Sequence, residues 1–179
     1  MNWNAFVDNY CERLLPGFWD EPLNAVSNIA FWLAAWLVWR RWQRWQRSVF
    51  TNVQPEAASG SADIKSLLAM LLLIGAASFA FHTLATRCAG GLDVLFIALF
   101  LHFYLAVYMH RAMGLRWRVA WLGIPLFFAA SLSLRQLDMP LCSDWRWGTH
   151  FAWHALNAVT LGFTSWAVVQ LHLAERTAD

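Results

Sequence analysis

Apolar residues gather along this chain into stretches long enough to cross a membrane. A spanning helix needs about 20 mainly apolar residues. Five stretches qualify: roughly Pro22–Arg41, Ile64–Thr86, Leu92–Arg111, Trp117–Leu134 and Gly148–His172. Pro22 suits a first helical turn. The fourth stretch is the shortest and carries Pro125. Between the first two, Ser48–Asp63 contains Pro55, Gly60 and small polar residues and reads as a loop. Gly90-Gly91 is expected to turn the chain between the second and third helices. The expected fold is all-α, a polytopic transmembrane helical bundle of about five helices, formed as a single domain over 1–179.

Composition strengthens this picture. Hydrophobic residues make up 59% and charged residues 13%, well below the roughly 25% charged of a soluble domain. Thirteen tryptophans fit a chain with two bilayer interfaces. Trp3, Trp19, Trp145 and Trp147 fall at one, and Trp39, Trp42, Trp45, Trp117 and Trp121 at the other. The net charge of +2 and the lack of a basic motif give no reason to expect nucleic acid as a partner. No phosphate loop, dinucleotide fingerprint or internal repeat is present.

Charge also orients the bundle. The N-terminus carries Asp8, Glu12, Asp20 and Glu21 instead of a positive signal region. No small-residue cleavage site follows the first apolar run, so that run is expected to stay as a helix. Five crossings put Arg40, Arg41, Arg44, Arg47, Lys65, Arg111, Arg116, Arg118 and Arg176 on one side and Arg13, Arg87, Arg135 and Arg146 on the other. The positive-inside rule makes the richer side cytoplasmic. The N-terminal segment 1–21 is then extracytoplasmic, 48–63 is a cytoplasmic loop and the C-terminus is cytoplasmic, as in a bacterial inner-membrane protein.

Ionisable groups inside apolar spans are costly and mark function. His150 and His154 open the last span four residues apart, on one helix face. His82 lies near the end of the second span and Asp93 near the start of the third. The topology brings all four, with Ser78, to one depth. Three imidazoles and a water are the ligand set of an open catalytic zinc site. Phe151 stands where a zinc protease would carry glutamate, so Asp93 is the candidate general base. Ser78, one turn before His82, either bonds back to its own helix or faces the metal. His102 is nine residues beyond Asp93, about 180° around a helix, and is expected to face away. His110 and His172 lie near the cytoplasmic ends. Asn24, Ser27, Asn28 and Asn157 are expected to bond between helices, with Asn157 also able to orient a ligand histidine.

The acidic N-terminal cluster is either a solvated segment or a set of oxygen ligands for calcium. Cys11, Cys88 and Cys142 all map to the extracytoplasmic side, where one disulfide and one thiol are expected and three pairings are open.

Four segments together resemble the alkaline ceramidase family, within the wider group of seven-helix membrane hydrolases that includes the adiponectin-type receptors. They are Cys11-Glu12 with Phe18-Trp19-Asp20-Glu21-Pro-Leu-Asn24-Ala-Val-Ser27-Asn28, then Ser78-x3-His82, then Asp93, then Gly148-Thr-His150-x3-His154. The resemblance implies zinc held by His82, His150 and His154, Asp93 as general base and Ser78 as oxyanion or water partner. It implies calcium at Asp8, Glu12 and Glu21, with Asp8 one residue out of register, and a Cys11–Cys142 disulfide. The family has seven helices against five here, and Phe127–Cys142 resembles its sixth helix and exit. Two middle helices and part of the acyl-chain wall are therefore expected to be missing, a gap that lipid or a second copy (a homo-oligomer) would fill.

The expected function is a zinc-dependent intramembrane amidase that cleaves a ceramide-like lipid to a fatty acid and a sphingoid amine. Two alternatives stand beside it: a hydrolase of another N-acyl or acyl-ester lipid, and a non-catalytic zinc-stabilised lipid-binding or receptor-like protein.

Overall fold

A computed structural model describes residues 2–49, 62–112, 130 and 133–178. Among them the chain is all-helical, with no strand beyond an isolated bridge between Phe6 and Thr86. The elements are α1 (Pro22–Ser27), α2 (Ile29–Val49), α3 (Ala62–Leu84), α4 (Arg87–Ala112) and α5 (His150–Ala178), with a short 3-10 turn at Met139–Leu141. Most of the expected fourth span, Trp117–Leu134, and most of the 48–63 loop lie outside the described residues.

The first expected span is two helices meeting at Asn28. The Asn28 side chain donates to the carbonyls of Asn24 (2.8 Å) and Ala25 (3.3 Å), in competition with the backbone ladder. The next turn tightens to an i→i+3 bond from Phe31 N to Asn28 O at 3.1 Å. At its start, α1 has Pro22 in the first turn, and Glu12 accepts from the amides of Leu23 (2.6 Å) and Asn24 (2.8 Å). These amides have no partner within the helix, so a distant carboxylate supplies one.

The turn between α3 and α4 is not at Gly90-Gly91, which lie inside α4. It falls at Ala85, with φ 47°, and at Thr86, whose Oγ1 accepts from Ala89 N at 3.2 Å. The N-terminal segment completes the corner: Val7 N donates to Ala85 O (2.8 Å), and Arg87 N to Ala5 O (3.1 Å). Gly90 serves packing instead, since a Cβ there would stand 2.9 Å from the Phe81 ring.

Phe31, Trp42, Leu67, Leu71, Ile74, Phe100, Leu161 and Val168 form one buried cluster shared by α2, α3, α4 and α5. The outward faces are also apolar: Trp32, Leu33, Trp36 and Leu37 on α2 and Val94, Leu95 and Leu99 on α4 are exposed. Apolar surface of this extent marks an interaction face. Among the described residues, three helical stretches, Pro22–Arg47, Ala62–Leu84 and Arg87–Tyr104, are long and apolar enough to cross a membrane. α5 is longer, at 29 residues, but turns Asn157, Thr160, Thr164 and Ser165 inward, and it is not among those three.

Candidate metal centre

Two helices deliver the three histidines. His82 ends α3, and His150 and His154 occupy the first turns of α5. The start of α5 is fixed by Asp138. Its Oδ1 accepts from Thr149 N (2.6 Å) and His150 N (2.8 Å), and its Oδ2 from Cys11 N (2.9 Å). Gly148 precedes this helix at φ +63°, and a Cβ there would run into the Asp138 carboxylate. The glycine is thus required both by its backbone conformation and by the carboxylate packed on it. A Cys11–Cys142 disulfide ties the N-terminal segment to the same corner, leaving Cys88 free and exposed.

The three imidazoles are buried and each offers a nitrogen within 4.8 Å of the others. No other group of three or more histidine, cysteine or carboxylate side chains gathers this way among the described residues. Tyr10 stacks on His150 with ring centroids 3.7 Å apart, and Trp153 stacks on it at 5.1 Å. Tyr10 is pushed up to about 12 by burial, with Arg135 pulling the other way.

Hydrogen bonds assign the protons. Ser27 Oγ donates to Asn24 O at 2.9 Å, so it must accept from His154 Nδ1 at 2.7 Å. In the same way, His82 Nδ1 donates to Glu21 Oε2 at 2.5 Å. Burial alone would raise the Glu21 carboxyl, but His82, Arg13 and Asn24 hold it below the ordinary carboxylate value. In neutral rings these bonds place both lone pairs on Nε2. The two Nε2 atoms face each other at 3.2 Å, where lone pairs repel unless a cation lies between them. Nitrogens about 2.0–2.1 Å from one zinc at a tetrahedral angle stand about 3.3 Å apart. His150 Nδ1 is buried without a partner. The residues fit a bound metal ion. A proton shared between the two Nε2 atoms would relieve that pair alone and leave His150 Nδ1 unsatisfied.

Ser78 is fully buried and turns to the cluster, with Oγ 3.3 Å from His154 Nε2 and in hydrogen-bonding reach of Asp93. Asp93 is buried and its Oδ1 has no partner. His102 is exposed and bonds to Ala98 O, facing away from the site. Neither side-chain atom of Asn157 has a partner, so it orients no histidine. Ser27 bonds between helices as expected, and the partner it holds is His154.

The expected calcium ligands do not converge. Asp8 is exposed, Glu12 is spent on the α1 amides, and Glu21 is shared by Arg13, His82 and Asn24. Among the described residues these three carboxylates do not gather as one ligand group. Asp138, Tyr10 and Arg13 are the site residues that sequence reasoning passed over. The one sequence signal for any of them is Gly148 ahead of the histidine pair, which marks a helix start needing a cap. No protein-family model, curated protein or solved structure matches this chain.

Proposed function

We propose that this chain is a zinc-dependent hydrolase working within the membrane on a lipid amide of the ceramide type. The observation that carries the reading is the facing pair of Nε2 lone pairs, with a third imidazole beside them and a carboxylate and a hydroxyl within reach. Zinc held by His82, His150 and His154 would supply Lewis acidity toward water and a carbonyl group. Asp93 has the free oxygen needed to take a proton from water and return it to the leaving amine. Ser78 donates to the oxygen on which negative charge develops. Burial of the site raises the worth of both contacts, since charges interact more strongly away from water.

An apolar groove of about 400 Å³ between α2 and α5 supports a lipid as substrate. Its wall includes Ala155, next to His154, and Ala30, one turn from Ser27, and runs toward Arg41. None of the three histidines lines this groove, so a chain lying in it would have to turn its polar end inward past Ala155 to reach them. In this reading the bundle is polytopic, with the N-terminal segment outside the cytoplasm and the C-terminus inside, consistent with a bacterial inner membrane.

The test is turnover of N-acyl sphingoid lipids by detergent-purified protein, against acyl-ester lipids as the competing class. Asp93→Asn is expected to abolish release of fatty acid while the metal stays bound. Retained turnover in that variant, with metal at full occupancy, would remove Asp93 from the mechanism. Ester cleavage with amides untouched would move the substrate to another lipid class. A stoichiometric metal with no turnover on either class would favour a non-catalytic lipid-binding protein.

A further inference from the structure

Arg13 lies outside the apolar spans yet is 4% exposed, and besides packing over Phe6 and reaching Leu15 O its guanidinium meets His82 by two routes. Nε donates to Glu21 Oε1 at 2.5 Å, and the other oxygen of that carboxylate holds His82 Nδ1 at 2.5 Å. Nη2 donates to the backbone carbonyl of His82 itself at 2.7 Å. Nη1 donates to Gly17 O at 3.0 Å, pinning the loop that leads to Glu21. One planar cation therefore grips His82 twice, through its ring and through its backbone.

A buried carboxylate between a histidine and a cation needs that cation to stay ionised and aimed. A divalent ion could serve the same purpose, but both Glu21 oxygens are already engaged and a second cation would meet the guanidinium. Lysine cannot copy the arrangement, since it lacks the fixed fork that reaches Glu21, Gly17 and His82 together.

We infer that Arg13 is a positioning residue of the metal centre, a tethered cation that sets His82 through Glu21 and makes the N-terminal arm independent of bound calcium. The inference rests on the metal reading of the histidine cluster. Outer partners of metal-bound histidines typically change metal affinity 10–100-fold when removed.

The experiment measures zinc affinity, by competition with a chromophoric chelator, in disulfide-intact wild type, Arg13→Ala and Arg13→Lys. Each is assayed in calcium-depleted buffer, with calcium chloride added, and with guanidinium chloride at low, non-denaturing concentration. The absorption spectrum of the cobalt(II)-loaded protein is recorded alongside, because it reports ligand geometry apart from stability. Wild type is expected to bind zinc equally well with and without calcium. Arg13→Ala is expected to bind about 10–100-fold more weakly and to recover with free guanidinium. Arg13→Lys is expected to give an altered cobalt spectrum. Three results would each overturn the inference: zinc binding by wild type strengthened by calcium, unchanged affinity in Arg13→Ala, or a wild-type cobalt spectrum in Arg13→Lys. If Arg13→Ala does not fold, the calcium test on wild type and the cobalt spectrum of Arg13→Lys still decide. Wild type that takes up neither zinc nor cobalt would instead overturn the metal reading, and this inference with it.

Discussion

His82 and His154 each spend Nδ1 on a donor bond, to Glu21 and to Ser27, and so turn Nε2 toward each other. His150 is held differently, by stacking between Tyr10 and Trp153. Tyr10 makes that packing measurable. Its ordinary value is about 10, and burial carries it to about 12 in the folded protein. The folded state thus favours the neutral phenol. This contribution to stability is whole below pH about 10 and is lost as the pH rises toward 12. Phenolate absorbance of wild type minus Tyr10→Phe is expected to show a late step, about two units above a free tyrosine. A step at the ordinary value would mean that Tyr10 is not buried against His150. At this scale the sequence was informative for residues whose chemistry is tied to their type. His82, His150, His154, Ser78 and Asp93 could be singled out because imidazole, hydroxyl and carboxylate are scarce in apolar spans. Ser27 could be read only as an interhelical bond and Tyr10 not at all, because the partners they hold are met only on folding. Ser27 meets His154 across 127 residues of chain.

At the scale of the element, the start of α5 carries the most consequence, because two metal-ligand candidates sit in its first turns. Asp138 satisfies two of its amides and one from the N-terminal segment, all from a side chain 1% exposed. Each buried donor left unpaired costs about 1–3 kcal/mol. Asp138→Ala is therefore expected to lose about 2–4 kcal/mol, somewhat less than the full sum because some of these amides regain water. Thermal unfolding in detergent would show the loss, and hydrogen exchange would place it at Thr149 and His150. Unfolding and exchange matching wild type would mean that α5 is capped by something else. The helices among the described residues were legible from apolar length, but their joints were not. Gly90-Gly91 has the composition of a turn, yet Gly90 admits the Phe81 ring and the chain turns at Ala85. The N-terminal segment decides this by bonding to the carbonyl of Ala85 and the amide of Arg87, a tertiary contact with no local signature.

In the whole molecule, the N-terminal segment is a brace for the site. It carries Tyr10 onto His150, Arg13 and Glu21 onto His82, and Cys11 onto Cys142 beside the start of α5. Its acidic residues read equally well in sequence as a solvated stretch or a calcium site, and in the structure Glu12 and Glu21 are buried and engaged within the protein. Glu12 caps α1 and Glu21 is an internal anion paired with Arg13. The pairing was hidden because buried ion pairs form between residues that each look like surface. Apolar outer faces and inward polar groups give a bundle suited to lipid surroundings, with the histidines sealed at one end. In the function proposed above, this arrangement serves a cation held by the three histidines. The most direct measurement is zinc content, by elemental mass spectrometry, of gently purified wild type beside His82→Ala, His150→Ala and His154→Ala. About one zinc per wild-type chain is expected, consistent with a site of three imidazoles and one open position, and its loss in each variant. Metal-free wild type, or zinc retained in all three variants, would contradict the metal reading.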